Sequence, residues 1–98
     1  MLCYILVANI GGGLLTIKQS RGKYNIGRNI RSLRMDNKYT QEQVVAKLQL
    51  LGIEMSRGTY SQIECGIANV KVQDLLGMAH IFHCDINAFF KDITLDNE

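Results

Sequence analysis

The stretch that decides the fold runs from Tyr39 to Gly66 and reads YTQEQVVAKLQLLGIEMSRGTYSQIECG. It carries two helix-start signals and one helix stop. Thr40, with Gln43 three residues on, is a capping box: each side chain accepts a hydrogen bond from the other residue's backbone N–H. Val44, Val45 and Leu48 then give the following helix one apolar face. Leu51, Ile53 and Met55 bracket Gly52 in a connecting loop. Ser56 caps a second short helix that runs to Cys65 and stops at Gly66, the residue a left-handed C′ position favours.

Further helices flank this pair. Upstream, Asn25 caps a helix with Ile26, Ile30 and Leu33 on its inner face and Arg28, Arg31 and Lys38 mostly outside. Downstream, a helix is predicted from about Val72 to His83, with Leu75, Leu76, Ala79 and Phe82 at 3–4 spacing. Asp85 caps a last one carrying Ile86, Phe89 and Phe90. The chain has 98 residues and no proline, so it holds one domain and permits uninterrupted helices. The expected architecture is all-α: a compact five-helix bundle over residues 25–92, with an acidic tail at 93–98.

Residues 1–24 differ from the rest. Leu2 to Ala8 is an apolar β-prone run, Gly11 to Gly13 is a flexible break, and Leu14 to Ile17 is a second apolar run. This N-terminal extension reads as a β-hairpin, as a strand lent to a partner chain for dimerisation, or as an addition outside the functional domain. The first run is too short to span a bilayer, which takes about 20 residues, and it lacks the basic start of a signal peptide. Neither a signal peptide nor a membrane partner is expected.

The net charge of +2 conceals an asymmetry. Residues 1–66 carry nine bases against four acids, a net of +5, while residues 67–98 net −3. Such segregation suits one surface for a polyanion and another turned away from it. Arg28, Arg31, Lys38, Lys47 and Arg57 all lie on or beside the two-helix unit. Cys3, Cys65 and Cys84 are an odd number without paired spacing, which points to a reducing cytoplasm rather than a disulfide framework.

Two short helices, Thr40–Gln49 and Ser56–Cys65, joined closely between other amphipathic helices have the layout of a helix-turn-helix, whose second helix lies in the DNA major groove. That second helix exposes Arg57, Thr59, Ser61 and Gln62, with Tyr60 and Ile63 as its apolar residues. Arg reads guanine and Gln reads adenine through two-point contacts, and Ser and Thr reach phosphates or bases. Gly58 puts no side chain in the way of a close approach. A merely solvated polar face is the competing reading.

The segments IGRNIRSLR (26–34), YTQEQVVAKL (39–48) and SRGTYSQIECG (56–66), continued by LLGMAHIF (75–82) and INAFF (86–90), resemble the Xre/Cro-repressor helix-turn-helix family over about 65 residues. The resemblance implies a λ-repressor-like domain that binds double-stranded operator DNA as a homodimer. It implies base readout by Arg57, Ser61 and Gln62, and phosphate contacts by Lys38, Thr40, Gln41 and Thr59. It also implies that Arg34 and Glu64 form a structural ion pair, which removes Arg34 from the DNA contacts. The loop over residues 50–55 is longer than the family's tight turn, and Gly58 stands where the family often has a base-reading side chain.

His80, His83 and Cys84 have metal-competent spacing, but zinc wants a fourth ligand and no second cluster is visible, so no metal is expected. No phosphate loop, HExxH or nucleophile elbow is present, so no enzymatic activity and no cofactor are expected. The expected function is a cytoplasmic, sequence-specific transcriptional regulator, a repressor on a palindromic site. Its dimer contact is expected at the N-terminal segment or at the helix ending in Phe89 and Phe90. The alternative is a protein-interaction module such as an antitoxin or anti-repressor on the same fold.

Overall fold

The computed structural model of the chain describes residues 5–8, 15–18 and 25–93. In chain order the elements are strands β1 (Ile5–Ala8) and β2 (Leu15–Lys18), helices α1 (Gly27–Asp36), α2 (Gln41–Leu50) and α3 (Arg57–Glu64), strand β3 (Val70–Lys71), helix α4 (Val72–Phe82) and a 3-10 helix, Ile86–Phe90. None of the described helices is long and apolar enough to cross a membrane.

The helix limits follow the capping chemistry. Thr40 and Gln43 form both halves of the capping box on α2, with Gln43 N–H on Thr40 Oγ1 at 3.1 Å and Thr40 N–H on Gln43 Oε1 at 2.8 Å. Ser56 Oγ accepts from Thr59 N–H at 3.0 Å to open α3. Gly66, with φ of +78°, ends that helix in the left-handed region. Asn25 Oδ1 accepts from Gly27 N–H at 3.1 Å and closes the start of α1.

Ile26 and Ile30 at the α1 end, Val44 and Leu48 from α2, and Tyr60 and Ile63 from α3 are fully or almost fully buried, and meet Leu75, Met78 and Phe82 of α4. Burying side chains of this kind contributes about 1.5–3 kcal/mol each. Ile53 tucks the α2–α3 loop into the same core, its backbone N–H bonded to Leu48 O at 3.0 Å.

Four α-helices stand among the described residues, and the fifth expected helix is instead one turn of 3-10 helix. Asp85 does open it, accepting from Asn87 N–H at 3.3 Å, and Ala88 N–H closes an i→i+3 bond to Asp85 O at 2.9 Å. Asn29 Nδ2 then donates to Phe89 O at 2.8 Å and to Lys91 O at 2.9 Å. Those carbonyls are satisfied by α1, so the segment stops after five residues. Phe89 is wholly buried beneath that contact, and its side chain is therefore not free for a dimer contact.

Within the N-terminal segment, β1 and β2 pair antiparallel, Ile5 opposite Lys18 and Ala8 opposite Leu15. β2 in turn pairs antiparallel with β3, Ile17 opposite Val70 and Thr16 opposite Lys71, giving the order β1-β2-β3. The expected break at Gly11 to Gly13, the start of the first apolar run and the tail residues 94–98 lie outside the described residues.

Candidate nucleic-acid interface

α3 divides by helical period into two faces. Tyr60, Ile63 and Glu64 point inward. Arg57, Gly58 and Gln62 are exposed on the other side, and Ser61 between them is half-buried. The Gln62 amide carries no hydrogen bond among the described residues, so both its carbonyl and its NH₂ are available for a base edge. Thr59 is exposed as well. Ser56 Oγ–H donates to Thr59 Oγ1 at 3.0 Å, which leaves the Thr59 hydroxyl proton for an outside acceptor such as a phosphate oxygen.

Beneath this face lies an ion pair. Arg34 Nε is 2.7 Å from Glu64 Oε2, and Nη2 donates to Oε1 at 3.1 Å. The third nitrogen, Nη1, donates to Tyr39 O at 2.9 Å. All three guanidinium nitrogens are thus engaged inside the protein, and the side chain is only 14% exposed. Burial alone would raise the Glu64 carboxyl, but Arg34, the neighbouring Tyr60 hydroxyl and the Gln41 amide outweigh it and hold the group below its usual range. The hydrogen bond to Glu64 correspondingly raises Arg34. The Tyr60 hydroxyl lies against this pair, buried and without a well-formed hydrogen bond, and burial pushes its pKa up.

Gln41 and Glu42, consecutive residues in the first turn of α2, reach opposite ends of α3. Gln41 Nε2 donates to Glu64 Oε1 at 3.0 Å, and Glu42 Oε2 stands 2.9 Å from Arg57 Nε. Both contacts join α2 to α3, the Gln41 bond at the buried end and the Glu42 pair at the exposed end. They also qualify Gln41 as a phosphate contact: one N–H faces Glu64, so only the second can meet a phosphate, beside the backbone N–H groups of the helix start. Glu42 is a residue that sequence reasoning missed. An acid among first-turn residues is ordinary helix chemistry, and nothing in the sequence ties it to Arg57.

Lys38 is exposed immediately before α2, with φ of 60° in the left-handed region. Lys47 faces elsewhere: its Nζ stands 5.0 Å from the Tyr39 ring centre. Together with Leu50, Leu51, His80, Ile81 and His83 these two residues line a shallow groove of about 210 Å³ between α2 and α4. Lys47, although it lies on the two-helix unit, is turned toward Tyr39 and α4. Arg28 and Arg31 are exposed on α1.

The arrangement has a solved counterpart. The chain is similar to a restriction-modification controller protein. The crystal structure of C.AhdI from Aeromonas hydrophila superposes with a TM-score of 0.56 at 25% sequence identity, covering 66% of this chain and 91% of that one. The likeness is to a controller protein, not to an enzyme. No protein-family model matches the chain, and no curated protein does.

The remaining candidate ligands stay apart from this interface. His80 and His83 are exposed on α4 and at its end, while Cys84 is partly buried against the core, where burial raises its thiol. Among the described residues no three His, Cys, Asp or Glu side chains are grouped to hold a metal ion.

Proposed function

We propose that this protein is a sequence-specific, double-stranded DNA-binding transcriptional regulator, a repressor that occupies a palindromic operator as a homodimer in a reducing cytoplasm. One observation carries the reading. α3 is locked from below through Glu64 and from the side by α2, and it presents Arg57, Ser61 and Gln62 together on its free face. Rigid support under a row of base-reading side chains is what major-groove recognition needs, and it is superfluous for a merely solvated surface. The likeness to C.AhdI, a controller protein, supports the same reading.

Thr40, Gln41, Thr59 and Lys38 supply the phosphate contacts around this row, setting the register of α3 in the groove. Dimerisation follows from the small reach of one module, since two half-sites about 34 Å apart multiply specificity. With Phe89 inside the core, we favour the N-terminal sheet, where β1 is an edge strand, for the dimer contact.

The test is selection of bound duplexes from a random-sequence pool, followed by binding measurements across a salt series. A specific regulator enriches a palindromic sequence and loses affinity with salt at a slope of about −0.9 per phosphate neutralised. If no sequence is enriched over random duplex, the protein-interaction reading replaces this one. The groove between α2 and α4, with Leu50 87% exposed at its edge, is the observation that favours it.

A further inference from the structure

Glu42 and Arg57 form an ion pair that stability does not explain. The side chains are 66% and 61% exposed, and pairs so open to water contribute little to stability. A carboxylate at this place also carries a cost for the proposed activity. It lies in the first turn of α2, beside the proposed phosphate contacts Thr40 and Gln41, and like charges repel there.

The geometry gives it a use. Glu42 Oε2 sits 2.9 Å from Nε, the inner nitrogen of the Arg57 guanidinium, as an ion pair whose N–H is not aligned for a hydrogen bond. The outer edge, formed by Nη1 and Nη2, carries no hydrogen bond among the described residues. Those two nitrogens are the parallel donors that match the O6 and N7 acceptors of a guanine in the major groove. An unheld arginine side chain loses much rotamer freedom when it is fixed, and it can equally swing onto a phosphate. Held at Nε, it has already lost part of that freedom, and its fork is aimed rather than roving.

We propose that Glu42 is a positioning residue for base recognition: its carboxylate holds Arg57 by Nε and leaves the Nη1–Nη2 fork free for a guanine in each half-site. Glu42 touches no base itself. By repelling phosphate and holding the arginine off the backbone, it also suppresses binding to unrelated DNA, so its contribution is to specificity more than to affinity. The inference rests on the DNA-binding reading above.

The experiment uses the full chain and two duplexes: the sequence most enriched from a random pool by the unaltered protein, and a scrambled duplex of equal composition. The unaltered protein must first prefer the selected duplex; if it does not, the DNA-binding reading itself fails, independently of Glu42. Given that preference, Glu42→Gln is expected to lower the ratio of selected to scrambled affinity by about tenfold. Repeating the selection with Glu42→Gln should erase the guanine enrichment at one position per half-site and leave the other positions intact. In the background of Arg57→Ala, Glu42→Gln should change the ratio by less than about twofold. A uniform gain of affinity for both duplexes, with the ratio unchanged, would mean that Glu42 only repels phosphate and overturns the proposal. An unchanged ratio without any gain overturns it too, as does an equal loss in the Arg57→Ala background. Because both side chains are exposed, the unfolding midpoint should hardly move, which separates positioning from a structural role.

Discussion

Arg34 and Glu64, thirty residues apart in sequence, meet through two hydrogen bonds of 2.7 and 3.1 Å and tie the end of the first helix to the end of the third. Both side chains are largely out of water, at 14% and 4% exposure, so removing one strands the charge of the other. Glu64→Ala is expected to cost about 3–5 kcal/mol, read as a fall in the urea midpoint. The double replacement Arg34→Met with Glu64→Leu should cost clearly less than the sum of the single changes. The pair also sets a pH dependence. The Glu64 carboxyl is held below its ordinary 4.5, so the native state releases its proton more readily than the unfolded chain. Its contribution is present above about pH 4.5 and is lost as the pH falls below that value. Glu64→Gln should flatten that acid limb of the stability curve.

Asp74 titrates with the opposite sign. It is buried in the first turn of α4, and burial raises its carboxyl above the ordinary 3.8, against the nearby Lys71 charge and a Lys71 backbone hydrogen bond. The native state here binds a proton more tightly than the unfolded chain does. The contribution is therefore present below pH 3.8 and is lost as the pH rises through the native value. Asp74→Asn, which keeps the shape and the acceptor for the backbone bond, should raise the thermal midpoint at pH 7. That gain should shrink toward pH 3, and a gain of equal size at both pH values would show that the charge is not its cause.

The local signals of this fold were written plainly in the sequence. Thr40 with Gln43, Ser56 and Gly66 act at the positions their chemistry predicts, because a cap depends on residues within one turn of itself. The last helix falls on the residues the sequence marks, Ile86–Phe90 behind the Asp85 cap, but as 3-10 helix; the bonds that Asn29, some sixty residues earlier, gives to the carbonyls of Phe89 and Lys91 are tertiary and have no sequence signal. Phe89, at the end of a helix named as one candidate dimer contact, lies in the core. The face of α3 follows from helical period, but Glu42 beside it does not. Its pairing with Arg57 depends on the path of a loop whose length no sequence rule translates into an angle. Lys47 was grouped with the other bases by position alone, and it turns out to face Tyr39 and α4.

The placement of the lysines gives a direct comparison. Lys38 is exposed at the start of α2, while Lys47 lies over the Tyr39 ring in the α2–α4 groove. If the nucleic-acid surface is the one proposed, Lys38→Ala should reduce the steepness of the salt dependence by about 0.9 and weaken selected and scrambled duplexes alike. Lys47→Ala should leave that slope unchanged. Titration of both variants at four or more salt concentrations reads the slopes, and equal slope changes would place DNA across the groove as well.

Two glycines separate what the fold demands from what the surface demands. At Gly27 an added Cβ would run into the backbone carbonyls of Ile63 and Glu64, which cannot move without dislodging α3. Gly27→Ala is therefore expected to destabilise by 2 kcal/mol or more, on the order of an overpacked core site. At Gly58 the same added carbon meets only Ser56 Oγ, at 3.9 Å, and the position is exposed. Nothing among the described residues requires glycine there. Gly58→Ala should hold or raise stability, by up to about 1 kcal/mol from helix propensity. On the proposed interface, however, Gly58 lies between Arg57 and the Ser61–Gln62 pair, where the helix backbone would press closest to DNA. A methyl group there should weaken the selected duplex several-fold even as the protein becomes no less stable. Thermal unfolding and duplex titration of the one variant read both effects. If affinity follows stability in the same direction, close approach at Gly58 is not part of recognition.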